Sequence, residues 1–248
     1  MNRNLRVAVF VTGVVGVGLL WAVAAGDVPG FGRSEHSYRD HAVHAALSRE
    51  TANVVSSVNF DQRGFDTLGE ETMLLAAVVG IMSLLRPATE ERELRPAQYG
   101  RVLDATRLVG YLLLPVTLVV GFDIVVHGTI TPGGGFQGGV LLATGLHLLY
   151  VAGSYRALDR LRPVNAFDVA EAVGSAAFVV VGVAGTVAAG AFLANFLPVG
   201  TLGALSSAGT VPLLNVAVGI AVAAGSTVLL AQFLAQEITI VPKGESRR

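Results

Sequence analysis

Six long apolar stretches leave this chain little freedom: Val7 to Ala25, Leu68 to Leu85, Leu108 to Val126, Phe136 to Gly153, Val169 to Phe192 and Leu213 to Ala235. Crossing a bilayer as a helix takes about 20 mostly apolar residues, because roughly 30 Å of hydrocarbon divides by 1.5 Å of rise per residue. The expectation is therefore an all-α integral membrane protein with six transmembrane helices, grouped two plus four, and no β domain. Composition agrees: 52% of the residues are hydrophobic and 14% charged, against about a quarter charged in soluble domains, and the mean hydropathy is +0.63.

The position of the few charges sets the orientation. Short loops rich in Lys and Arg stay in the cytoplasm. Arg3 and Arg6 precede the first stretch; Arg86, Arg92, Arg95, Arg101 and Arg107 lie between the second and third; Arg156, Arg160 and Arg162 lie between the fourth and fifth; Lys243, Arg247 and Arg248 follow the sixth. The loops over 127–135 and 193–212 carry none, and the remaining four, Arg33, Arg39, Arg49 and Arg63, share the long first loop. Six spans in the cell membrane with both termini cytoplasmic keep this asymmetry. A rival exists for residues 1–25, where a basic start, an apolar run and Ala22-Val23-Ala24 also fit a cleavable signal peptide, although the run is longer than the usual 7 to 15 residues.

Residues 87–107 are the most polar segment and read as a cytoplasmic linker between a two-span module over 1–86 and a four-span domain over 108–248. Glycines inside the stretches, among them Gly174, Gly182, Gly219 and Gly225, suit close approach of neighbouring helices. A net charge of −1 offers no basic surface for nucleic acid, and the absence of cysteine removes disulfides and cysteine-ligated redox centres. No phosphate-binding lysine motif occurs, and no cofactor is expected. His36, His41 and His44 cluster in the first loop without the spacing of a complete metal site, so no metal is expected either.

HGTITPGGGFQGGV, residues 127–140, joins the third and fourth stretches on the outer side. Pro132 interrupts helix, and Gly133, Gly134 and Gly135 allow backbone angles closed to other residues. Non-helical backbone cannot face lipid; it must be packed in protein, sit at the interface, or line water. Two readings follow for Pro132, Gly133, Gly134, Gly135, Phe136, Gly138 and Gly139: a tight packing corner, or backbone groups lining an ion route.

The stretch TPGGGFQGGVLLATGLHLLY resembles the signature of the B-type subunit of the Mrp/Mnh-type multisubunit cation/proton antiporters, a motif shared with a membrane subunit of energy-converting hydrogenases. The likeness covers roughly residues 106–241. Members of that family often carry a second histidine in an HGH arrangement; here His127 is followed by Gly128 and Thr129. VNFDQRGFDTLGEETMLLAAVVGI, residues 58–81, resembles the RGFDTLGE segment at the end of the antiporters' large A-type subunit, equivalent to a small two-span hydrogenase subunit. The resemblance implies a fusion of two neighbouring parts of a membrane complex, with other membrane subunits as its partners.

Ionisable groups inside spans cost several kcal/mol by insertion scales and ask for a reason. Asp123 lies one helical turn before His127, on the same face, where carboxylate and imidazole can share a proton; it can equally stand at the wet outer interface. Thr67-Leu68-Gly69-Glu70 matches a capping box, while the family likeness makes Asp66 and Glu70 candidate members of an ion path; Glu71 is covered less. His147 reads as a packed residue, and Asp168 and Glu171 as charges complementing a helix start. The resemblance implies a non-enzymatic subunit that completes or extends a cation route rather than driving transport alone. A purely architectural role and a place in a hydrogenase-like redox complex stay open beside it.

Overall fold

The computed structural model describes residues 3–28, 32, 36–85, 102–152 and 164–234. Every regular element among them is helical: α1 (Arg3–Gly26), α2 (Ser37–Ser48), α3 (Val54–Ser57), a π-helical turn (Val58–Gln62), α4 (Gly64–Leu84), α5 (Asp104–Val126), α6 (Gly135–Val151), α7 (Val164–Ala189) and α8 (Val211–Leu234). The chain divides into two compact units, Met1–Asp40 and His41–Arg248. Most of the linker placed over 87–107, along with the basic residues up to Arg101 and those of 153–163 and 235–248, lies outside the described residues.

Five helices, α1, α4, α5, α7 and α8, are long and apolar enough to cross a membrane. The remaining expected span, Phe136 to Gly153, corresponds to α6, which among the described residues runs over Gly135–Val151. The glycine-rich joint before it stays non-helical up to Gly134. In the first unit, α1 is an uninterrupted apolar helix without a buried residue.

The second unit is organised around α8. Of its apolar window 61% is buried, against 17–22% for α4, α5 and α7. Its sequence explains the position: Val211–Leu234 contains no ionisable residue and alternates branched side chains with Ala and Gly, so each side accepts a neighbour. α6 and α7 lie along it for most of their length, α4 and the π-turn pack on a third side, and α5 lines up against α6. Phe60, Phe178, Leu193, Leu214 and Val218 form the centre of the apolar cluster between them.

Helix α4 begins earlier than the capping-box reading of Thr67 to Glu70 expects. Arg63 occupies the N-cap without a side-chain hydrogen bond to the cap, and the first helical residue is Gly64. Thr67 is instead buried inside the helix, where its hydroxyl donates to the Asn59 carbonyl at 2.7 Å. The cause lies just upstream. A π-turn adds a residue to each backbone ring, and Thr67 takes up a carbonyl from that turn. Gln62 Nε2 ties the same turn to the Ala42 carbonyl at 3.1 Å and to Ser57 Oγ at 3.0 Å. Thr67, Glu71 and Val78 are then buried at helical spacing, so one face of α4 looks inward.

Candidate functional site

The glycine-rich joint is clamped by two asparagines. Asn53, just ahead of α3, donates through Nδ2 to the carbonyls of Gly128 at 2.8 Å, Thr131 at 2.8 Å and Gly133 at 3.1 Å. Its backbone N–H donates to the Thr129 carbonyl at 2.9 Å, and its Oδ1 accepts from the Ser56 N–H, capping α3. Asn215, fully buried on α8, approaches from the opposite side. Its Oδ1 accepts from the Gly135 N–H at 2.9 Å, the first residue of α6, while Nδ2 donates to Ser56 Oγ at 2.9 Å and the Val211 carbonyl at 3.1 Å. Backbone groups that cannot meet lipid thus find partners from residues 53–56 and from α8.

Within the clamp, Gly133 and Gly134 hold φ of +125° and +149°, a region that side-chain-bearing residues rarely enter. A Cβ at Gly134 would stand 2.5 Å from Asn215 Oδ1. Beyond the corner, small residues let helix backbones touch: a Cβ at Gly138 would lie 2.6 Å from the Gly121 carbonyl of α5, and one at Gly139 would lie 2.9 Å from the Gly219 carbonyl of α8. Phe136 is half-buried against the central apolar cluster, and Pro132 is exposed. The one α6 amide for which an anion-binding use is most direct, that of Gly135, is already occupied by Asn215.

The titratable candidates separate into an outer and an inner set. Asp123 and His127 do meet: His127 Nδ1 lies 3.0 Å from Asp123 Oδ1 and 3.1 Å from the Asp123 carbonyl oxygen, at the C-terminal end of α5. The pair is solvent-reachable, with side chains 37% and 62% exposed. Asp66 is exposed and paired with Arg63 at 2.6 Å, and Glu70 is exposed. The inner set is different. Glu71, 2% exposed, and Glu171, 4% exposed, are sealed within the bundle. Glu171 is therefore a buried group beyond the first turn of α7, which has no acidic residue there, contrary to the helix-start reading of Asp168 and Glu171. His147 is half-buried on α6, and His36, His41 and His44 are exposed.

Sequence reasoning passed over Asn53, Ser56 and Asn215. The usable signal for Asn215 was a lone amide inside an apolar run, Leu213-Leu214-Asn215-Val216, since buried polar groups require partners. Neither Asn53 nor Ser56 belongs to a recognisable pattern.

The model of a family described as a domain related to the MnhB subunit of the Na+/H+ antiporter matches residues 105–228, half of the chain. An uncharacterized protein of Methanocaldococcus jannaschii is 29% identical over 201 residues, covering 70% of this chain and 73% of its own. A probable K+/H+ antiporter protein of Rhizobium meliloti, of the combined A/B type, is 26% identical over 148 residues, which is 50% of this chain and 15% of that protein. Among solved structures, a chain of the membrane-bound sulfane sulfur reductase, an archaeal respiratory membrane complex, is similar with TM-score 0.69 and 26% identity, over 94% of this chain and 100% of that one. A chain of the Mrp complex from Dietzia is similar with TM-score 0.65 and 25% identity, over 94% of this chain and 26% of that one.

Proposed function

Because the chain belongs to the family of domains related to the MnhB subunit of the Na+/H+ antiporter, we propose that it serves as a membrane subunit of a multisubunit cation/proton antiporter complex in the cell membrane. The observation that carries this reading is the reach of the family match, which takes in α5, α6, the whole glycine corner and Asn215 on α8. The chain acts in transport rather than as an enzyme, and its partners are other membrane subunits. Its arrangement is six spans with both termini cytoplasmic: a two-span module over 1–86, a linker over 87–107 and a four-span domain over 108–248. The asymmetry of basic residues and the five long apolar helices, with α6 as the short sixth, support it.

In this reading the glycine corner holds the front module to the four-span domain, since Asn53 belongs to one and Gly128 to Gly133 to the other. Asp66, Glu70, Asp123 and His127 stand where the protein meets water or neighbouring subunits and contribute to the ion path there. Their exposure and the 3.0 Å contact of Asp123 with His127 support that role.

A second assembly is favoured by one observation, the complete coverage of the sulfane sulfur reductase chain: a redox complex of the hydrogenase type, with this chain as one of its membrane subunits. Purification of the tagged chain from its native membrane, followed by reconstitution of the intact complex, separates the two. The antiporter reading expects only membrane subunits to co-purify and expects Na+- or K+-dependent proton movement from the complex. Co-purification of iron–sulfur proteins, with no cation-dependent proton movement, would overturn it in favour of the redox assembly.

A further inference from the structure

Three helices of the bundle enclose acid without base. On the inward face of α4, Glu71 keeps both carboxylate oxygens away from solvent with no hydrogen-bond partner among the described residues; Glu171 Oε1 and Asp168 Oδ1 on α7 are in the same condition. Glu71 lies within electrostatic reach of Glu171 and Glu70, and Glu171 within reach of Asp168. On the third side, α8 contributes no titratable group, and none of the three helices contains Lys, Arg or His. The room for Glu171 is made by a missing side chain. A Cβ at Gly225 would stand 2.7 Å from Glu171 Oε1 and 3.4 Å from Val78 Cγ2, so α4, α7 and α8 meet at this glycine.

An ionised carboxylate in an apolar interior is strongly disfavoured unless a cation or hydrogen-bond donor meets it. Within membrane spans such groups line ion and proton routes. Two of them within electrostatic reach of one another cannot both stay ionised and unaccompanied. None of these three helices carries a basic side chain, and a proton or a small cation can supply the positive charge the pair requires.

We propose that Glu71 and Glu171 form an ion-exchange site inside this protein, at which a proton and a monovalent cation alternate in neutralising the pair. Entry of the cation breaks a carboxyl O–H bond and releases the proton; return of a proton expels the cation, with no redox change. The acids also have polar neighbours at both ends. Asp168 stands one turn before Glu171 on α7, and the buried Thr67 stands one turn before Glu71 on α4, bonded to the π-turn. The inference deepens the antiporter reading and rests on it for its purpose, but it places the exchange step at residues distinct from Asp66, Glu70, Asp123 and His127.

The test is covalent labelling of the intact wild-type complex with a hydrophobic carbodiimide, which couples to protonated carboxyls in apolar surroundings, read by peptide mass spectrometry. Glu71, Glu171 or both should be modified, and NaCl or KCl should slow the modification several-fold relative to choline chloride at equal ionic strength. In Glu71→Gln the cation should no longer protect Glu171, and in Glu171→Gln it should no longer protect Glu71. If a Gln variant fails to assemble, cation protection in the wild-type complex still decides. Acids that stay unmodified, or modification indifferent to the choice of cation, overturn the site. Protected acids in a complex that moves no cation would uphold the site and overturn the antiporter reading; exchange with unprotected acids would do the reverse.

Discussion

Replacing Asn215 by alanine puts the glycine corner to a quantitative trial. The substitution leaves the Gly135 N–H without its acceptor and Ser56 Oγ without its donor, both in a fully buried position. An orphaned buried group costs about 1–3 kcal/mol, whereas hydrogen bonds between transmembrane helices average about 0.6 and reach about 1.7 kcal/mol, because the unfolded chain in the membrane also finds partners. The Gly135 amide is fixed at a helix start and has no second option, so it sits toward the upper value; the Ser56 hydroxyl can rotate and sits toward the lower. Together they give about 2–3 kcal/mol, or roughly 30- to 140-fold in the folding constant. Unfolding in mixed detergent micelles, followed by pulse proteolysis, should show that loss. Ser56→Ala should lose about 1 kcal/mol, and the double variant less than the sum, because the two share one bond. A midpoint for Asn215→Ala indistinguishable from wild type would refute the clamp as a source of stability.

Gly134→Val should lower complex assembly on native gels and cation exchange in parallel, since φ of +149° strains a β-branched residue and its Cβ meets Asn215 Oδ1 at 2.5 Å. Gly138→Ala should destabilise by about 1–3 kcal/mol, read as an earlier unfolding midpoint, because the new methyl lands 2.6 Å from the Gly121 carbonyl. Asp123→Asn should leave assembly intact, as the half-exposed pair with His127 contributes at most about 1 kcal/mol, while exchange by the same vesicles falls. In this cysteine-free chain, a single cysteine at position 202 should react with an impermeant thiol reagent from outside and one at position 95 should not; strong external labelling at 95 would overturn the orientation.

The apolar stretches were legible because span length and hydropathy are properties of the local chain, and the same holds for the helical spacing that joins Asp123 to His127. Local pattern misleads where one residue decides the face. Glu70 and Glu71 are neighbours, yet successive helical residues point about 100° apart, so one is exposed and the other buried. The capping-box match around Thr67 hid this, because the helix start was set by a π-turn with no compositional mark. Asn53 and Asn215 act through partners 75 to 80 residues away in sequence, a relation no window contains.

The placement of Asn215 also orders the chain's birth. Gly135 and Ser56 precede it by 80 and 159 residues, so both leave the ribosome long before the amide that satisfies them. Until α8 is delivered to the bilayer, the corner lacks one of its two clamps and the bundle lacks its central rod. The last described helix to be translated is thus the one that closes the fold, and a nascent chain arrested before residue 215 exposes unmet backbone at the corner. That exposure gives membrane quality-control proteases a physical basis for distinguishing an unfinished copy from a complete one.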